Sequence, residues 1–202
     1  MRTSSDGWVV AIALLVGTVS LAACSGAAAG SVVSGRVPVV AAENFYGDIV
    51  AQLGGPYVSV TSILSDPNAD PHLFEPGTAN AAAVADARLV VDNGLGYDAF
   101  MDRLLAAAPN SKRTVVTIAK VFGFAGGGVN PHLWYDAPRI PDMAKAIADA
   151  LSTVGPAHRG YFAARLAAFD DSLKPLLDAV AALRASAMAL AASGMRGASY
   201  QR

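Results

Sequence analysis

Short β-branched runs alternate with helix-spaced runs along most of this chain, and that alternation constrains the fold more than any other feature. Residues 37–42 form an apolar run rich in valine. Residues 44–53 follow with Phe45, Ile49, Val50 and Leu53 at helical spacing, and Gly54, Gly55 and Pro56 stop them. Residues 57–64 alternate apolar and polar side chains through Val58 and Val60. Residues 65–76 are a loop rich in Pro, Asp and Asn. The pattern then predicts a helix over 78–87 with Thr78 as candidate N-cap, a strand over 89–91, an amphipathic helix over 97–108 and a strand over 114–118. Repeated β-α order of this kind predicts an α/β fold: a parallel sheet with helices on both faces.

The alternation ends in helices. One is predicted over 138–154, and a longer one starts near Pro156. Its apolar stripe runs through Phe162, Leu166, Phe169, Leu173, Leu176, Val180 and Leu183 in alternating steps of four and three. Such a stripe serves a helix laid along its own domain or a coiled coil; sparse charge pairing beside it favours the first. Pro175 removes an N–H inside the stripe and is expected to kink or split the helix near Lys174. After Ser193 the periodicity is lost, and a frayed tail is expected over 191–202.

The amino terminus carries an address. Arg2 precedes an apolar, uncharged run over 8–23, of signal-peptide length and short for a membrane span. Asp6 is unusual in such a leader. The run ends Leu21-Ala22-Ala23-Cys24, and Cys24 is the single cysteine of the chain. Residues 21–24 resemble a bacterial lipobox, with residues 1–23 as signal and Cys24 as the lipidated first residue. Residues 24–36 are small, polar and Gly-rich, like a flexible tether. The expected location is therefore outside the cytoplasmic membrane, held there by acyl chains on Cys24. Lone Cys24 excludes an internal disulfide framework and a cysteine zinc knuckle. The 15 Lys and Arg against 16 Asp and Glu carry no basic excess, which argues against a nucleic-acid partner.

Two of the three histidines sit in matching settings. One is Asp70-Pro71-His72-Leu73-Phe74-Glu75-Pro76; the other is Asn130-Pro131-His132-Leu133-Trp134-Tyr135. Each reads Asx-Pro-His-Leu-aromatic. Proline restricts itself and the residue before it, so each imidazole is presented on a stiff loop. A neutral imidazole is a common metal ligand, and stiff presentation lowers the ordering cost of binding. The aromatic two residues on, Phe74 or Trp134, can wall off solvent. The first cassette follows the second predicted strand. The second follows the fourth and a Gly-rich stretch over 123–128. Ligands gather at the carboxyl ends of strands in open α/β sheets, so His72 and His132 could share one crevice. A single cassette would read as an ordinary loop histidine; the repetition is what points to a site. His158 lacks the cassette and reads as a solvent-facing residue at a helix start.

The pattern resembles the zinc/manganese type of metal-binding solute receptor of bacterial ABC transporters. The resemblance runs over about 37–185. It is carried by Ala42-Glu43-Asn44-Phe45-Tyr46, Gln52-Leu53-Gly54-Gly55, residues 58–76, Asp92-Asn93-Gly94-Leu95-Gly96-Tyr97 and Asn130-Pro131-His132-Leu133-Trp134. It implies two α/β lobes joined by one long helix, with metal between them, and delivery of that metal to a membrane permease. It also implies that the first lobe contributes two histidines, here His72 and His132. On this reading residues 37–154 are the first lobe and 155–190 the linking helix. The second lobe and its ligands are missing, so a truncated or split gene is expected, with a separate chain as one source of the other lobe.

Zinc prefers four N, O or S ligands, so two histidines leave the shell half filled. Glu75 could add to it, although a buried, turn-stabilising role fits it better; Asp70 is better placed to orient an imidazole. All-nitrogen ligation leans to zinc, with manganese as the alternative. Weak metal binding is expected, together with an apolar helix face over 169–183 that invites self-association or a partner. A surface interaction or adhesin-like lipoprotein with a vestigial metal site is the other reading. An enzyme is not expected: neither His-Glu-x-x-His nor Gly-x-Ser-x-Gly occurs.

Overall fold

The computed structural model describes residues 35–198 apart from Pro67, His72 and Gly127. The expected signal segment and Cys24 lie outside the described residues, as does His72. Among the described residues the strands are β1 (Val37–Glu43), β2 (Val58–Leu64), β3 (Leu89–Asp92) and β4 (Thr114–Thr117). The helices are α1 (Asn44–Gly54), α2 (Thr78–Asp86), α3 (Ala99–Ala107), the single turn α4 (Ile118–Val121), α5 (Ile140–Val154) and α6 (Arg159–Ala198). All strand pairs are parallel, in the order β2-β1-β3-β4.

That order has a consequence for the site. From β1 the chain crosses to β2, then passes back over β1 to β3 and onward to β4. The direction of winding reverses between β1 and β3. Ligand crevices form at the carboxyl ends of strands at such a switch point. Here those ends carry Glu43 and Asp92.

Alternation along β1 feeds two cores. Val39 and Ala41 face the core built with Val50 and Leu53 of α1, Ile147 and Leu151 of α5, and Phe162 of α6. Val40 and Ala42 face the opposite core, with Val84 of α2 and Phe100, Met101 and Leu104 of α3. Both faces of the sheet are therefore covered, as the β-α order predicts. The central strands β1 and β3 read as continuous apolar runs for the same reason.

Boundaries differ from the sequence expectation in small ways. The first bonds of α2, from the Asn80 and Ala81 N–H groups, close on the Gly77 carbonyl. Gly77 is therefore the cap, and Thr78 is already helical. α3 starts at Ala99 rather than at 97, because Asp98 is engaged in the turn before it. A 3₁₀ turn, Pro156–His158, leads into α6, and its histidine is half-buried rather than solvent-facing. The His158 ring stacks on Tyr57 at 3.8 Å.

α6 is one helix through Pro175, with no split at Lys174, and it continues past Ser193 to Ala198, where fraying is expected from the sequence. Phe162 and Phe169 are buried against the lobe, and the Arg165 Nε donates to the Gln52 carbonyl of α1 at 2.9 Å. Phe169 thus belongs to the core rather than to a bare face. Beyond it the stripe emerges: Leu176, Leu183, Met188 and Leu190 are exposed. One helical stretch, Pro156–Ser193, is long and apolar enough to cross a membrane by length and composition.

Candidate metal centre

His132 lies on the loop after α4, just before a 3₁₀ turn, Leu133–Tyr135. Asn130 holds it from two sides. The Asn130 Oδ1 accepts from the His132 backbone N–H at 3.0 Å and lies 2.6 Å from His132 Nδ1. An amide oxygen only accepts, so Nδ1 carries the proton and Nε2 keeps its lone pair. This is the tautomer a metal ligand needs, fixed by a neighbour two residues away.

The loop is also tied down from below. The Asn93 side-chain amide donates to the Pro131 carbonyl at 3.0 Å and to the Gly94 carbonyl at 2.9 Å. The Asn93 Oδ1 accepts from the buried Tyr46 hydroxyl at 2.6 Å. Asp98 closes the turn that presents Asn93, accepting from the Asn93 and Gly94 N–H groups at 2.6 and 2.9 Å. Gly94, Leu95 and Gly96 all take positive φ there. A Cβ on Gly94 would lie 2.7 Å from the Thr117 methyl, so both the angle and the space call for glycine. Tyr46, Asn93 and Asp98 thus position His132 from the ends of β1 and β3. Sequence reasoning quoted Tyr46 and Asn93 only as part of a resemblance and gave them no role.

A cavity of about 350 Å³ opens beside His132, walled by Glu43, Asn44, Phe45, Leu64, Asp66, Ala69, Tyr97, Trp134 and Tyr135. The Trp134 ring stacks on Phe45 at 4.3 Å and lies 5.2 Å from the imidazole; Tyr97 lies 5.6 Å from it. Trp134 is therefore one wall of this cavity. Asp66 and Ala69 belong to the loop that carries the first cassette. His72 itself is outside the described residues, but its loop borders the same cavity as His132. A larger cavity, about 500 Å³, is lined by Asp92, Asp98, Asp102 and Lys120 and contains no histidine.

The first cassette differs from the second in its supports. Phe74 packs edge-on against Phe100 at 5.0 Å, in the core on the α2–α3 face, rather than screening the site. Glu75 is not buried and does not line the cavity: it is exposed, 3.8 Å from the Arg103 guanidinium. Asp70 is exposed, and its carbonyl accepts from the Leu73 N–H at 3.2 Å.

Buried carboxylates gather under the site. Glu43 is 1% exposed, and neither of its oxygens has a hydrogen-bond partner. Burial, followed by the charges of Asp98 and Asp92, pushes its carboxyl up to about 9. Asp92 is pushed up to about 7, by burial first and then by Asp98, against a hydrogen bond from Thr117. Burial also raises Asp98, although the Asn93 and Gly94 amides oppose the shift. Burial raises the Tyr46 hydroxyl as well, so it stays a donor. Sequence analysis quoted Glu43 and Asp92 only as part of the resemblance, gave them no role, and passed over Asp98. For Glu43 and Asp92 the available signal was position: an acid ending an apolar strand.

Among the described residues no group of three His, Cys, Asp or Glu stands ready as a metal cluster. What the site offers is one oriented imidazole, a second histidine on a bordering loop, an aromatic wall and a buried acid.

Comparisons with known proteins agree with this fold. The family model for the periplasmic zinc-uptake complex component A, ZnuA, matches residues 39–190. The manganese-binding lipoprotein MntA of Bacillus subtilis is 25% identical over 170 residues, covering 81% of this chain and 55% of that protein. The manganese ABC transporter substrate-binding lipoprotein PsaA of Streptococcus pneumoniae is 24% identical over 177 residues, covering 82% of this chain and 57% of that protein. The solved periplasmic zinc-binding protein TroA of Treponema pallidum aligns with a TM-score of 0.63 at 24% identity, over 70% of this chain and 53% of that one. This chain spans about half the length of the curated relatives it matches. With its single sheet at the head of one long helix, and a family match over most of its length, the chain belongs to the ZnuA family of metal-binding solute receptors of ABC transporters.

Proposed function

We infer that this chain captures a divalent metal ion outside the cytoplasmic membrane as the binding component of an ABC transporter. Zinc is the first expectation and manganese the alternative. His72 and His132 are the proposed ligands, with Asn130 orienting one imidazole and Trp134 screening the crevice. Delivery would be to a membrane permease, with Cys24 as the proposed lipid anchor. The observation that carries the reading is His132: its Nδ1 is committed to Asn130, its Nε2 is available, and it stands over the sheet's switch point. A fixed tautomer on a tethered loop suits binding, and no catalytic step is proposed.

Two neutral imidazoles fill half of zinc's usual four-coordinate shell and bring no negative charge. Modest affinity is therefore expected from this chain alone. Calorimetric zinc titration of the chain carrying Cys24→Ser, beside His72→Ala and His132→Ala, tests the reading. One zinc per chain, lost in either variant, supports a shared site. No binding, or variants equal to the parent, overturns it in favour of a surface interaction role.

A further inference from the structure

Glu43 is a buried acid that the two-histidine reading leaves without a purpose. It ends β1 at the switch point and walls the cavity that His132 also walls. It is 1% exposed, and both carboxylate oxygens lack a hydrogen-bond partner. A buried polar group left unpaired is rare enough to need an explanation, and an unfilled ligand position is one.

The neighbouring acids are already employed. Asp98 accepts from two backbone N–H groups; Asp92 bonds to Thr117, leaves its Oδ1 unpaired, and lines the other cavity rather than the one beside His132. Asp66 also walls the cavity, but it is exposed and accepts from Asn68 through its backbone and side-chain nitrogens at 2.9 and 3.2 Å. Glu43 is the cavity acid that is both buried and uncommitted. Charge points the same way. A dication moved into a partly screened crevice needs a nearby anion, and histidines supply none. Oxygen donors also widen metal choice, because carboxylates suit manganese where imidazoles alone suit zinc.

We propose that Glu43 is a further ligand of the captured metal, supplying a carboxylate oxygen beside His132 and extending the site's acceptance from zinc toward manganese. The proposal rests on the reading that this crevice holds the ion. It makes the lobe's own ligand set two nitrogens and one oxygen. The carboxylate would reach the ion from the end of β1, and His132 would reach it from its loop.

Glu43→Gln tests this with little change of shape, since no hydrogen bond is lost in the free protein. Zinc and manganese titrations of the parent chain, Glu43→Gln, Glu43→Asp and His132→Ala are compared, with thermal unfolding run on each to establish that it folds. X-ray absorption of the zinc-loaded forms reports the oxygen and nitrogen neighbours of the ion. The expected result is at least a tenfold loss of zinc affinity in Glu43→Gln, a larger loss for manganese, and one oxygen neighbour exchanged. Glu43→Asp, which keeps the charge on a shorter arm, should fall between. Glu43→Gln binding both metals like the parent overturns the proposal, as do equal losses for both metals with an unchanged absorption spectrum, the mark of a structural role. If Glu43→Gln does not fold, Glu43→Asp decides on the same criteria. A parent chain that binds neither metal removes the underlying reading as well, whereas binding lost only in His132→Ala removes Glu43 alone.

Discussion

At the scale of single residues, the site is a set of commitments made through hydrogen bonds. Asn130 spends its one side-chain oxygen on His132, on the backbone and on the ring together. Asn130→Ala should leave the imidazole present but free to rotate and change tautomer. Outer partners of this kind are worth roughly ten- to a hundredfold in metal affinity. We expect a loss in that range by calorimetry, smaller than that of His132→Ala.

Glu43 makes a prediction for the metal-free protein. Its carboxyl is raised from the ordinary 4.5 to about 9. Between those values the folded chain holds a proton that the unfolded chain releases. Stability contributed by this group is complete below about 4.5 and is lost as pH climbs toward 9. Asp92, raised from 3.8 to about 7, acts in the same direction over its own window. Thermal unfolding of the metal-free chain at a series of pH values should show the midpoint falling from pH 5 to pH 9. Glu43→Gln, which cannot ionise, should flatten much of that fall. A midpoint that rises across this range would contradict the burial argument.

At the scale of elements, the turn between β3 and α3 is the part that makes the site rigid. It joins three requirements: positive φ at Gly94, a carboxylate at Asp98 to hold two amides, and Asn93 reaching the Pro131 carbonyl. Gly94→Ala would combine an unfavourable backbone angle with a contact against Thr117. Each strained position costs about 1–3 kcal/mol, so a clear fall in the denaturant midpoint is expected. Tyr46→Phe would leave the Asn93 oxygen buried and unpaired, at about 1–3 kcal/mol. It should also loosen the His132 loop, and faster amide exchange at His132 and Leu133 would report that.

At the scale of the whole molecule, α6 has two halves with different energetics. Phe162 is fully buried, in contact with the cores of α1 and α5, while Leu183 is 70% exposed. Phe162→Ala is expected to cost about 3–5 kcal/mol, as large core truncations do. Leu183→Ala should stay within about 0.5 kcal/mol, as surface changes do. Chemical denaturation of the two variants checks the contrast. Equal costs would mean that the second half of α6 is covered in solution.

The sequence alone specified the sheet, because valine-rich runs bounded by glycine, proline and asparagine turns are local patterns. It specified the paired histidine loops as well, because repetition along a chain is visible without coordinates. Both rest on short-range stereochemistry. It allowed for a split at Pro175, and α6 instead runs unbroken through that residue, which is exposed. It misjudged Glu75, whose place beside a histidine in sequence turned out to be an exposed one facing Arg103. The roles of Glu43, Asn93 and Asp98 appeared only in three dimensions. Glu43 ends β1, Asn93 follows β3 and Asp98 precedes α3, and what marks them out is burial and each other's company. Neither property exists until the strands are side by side.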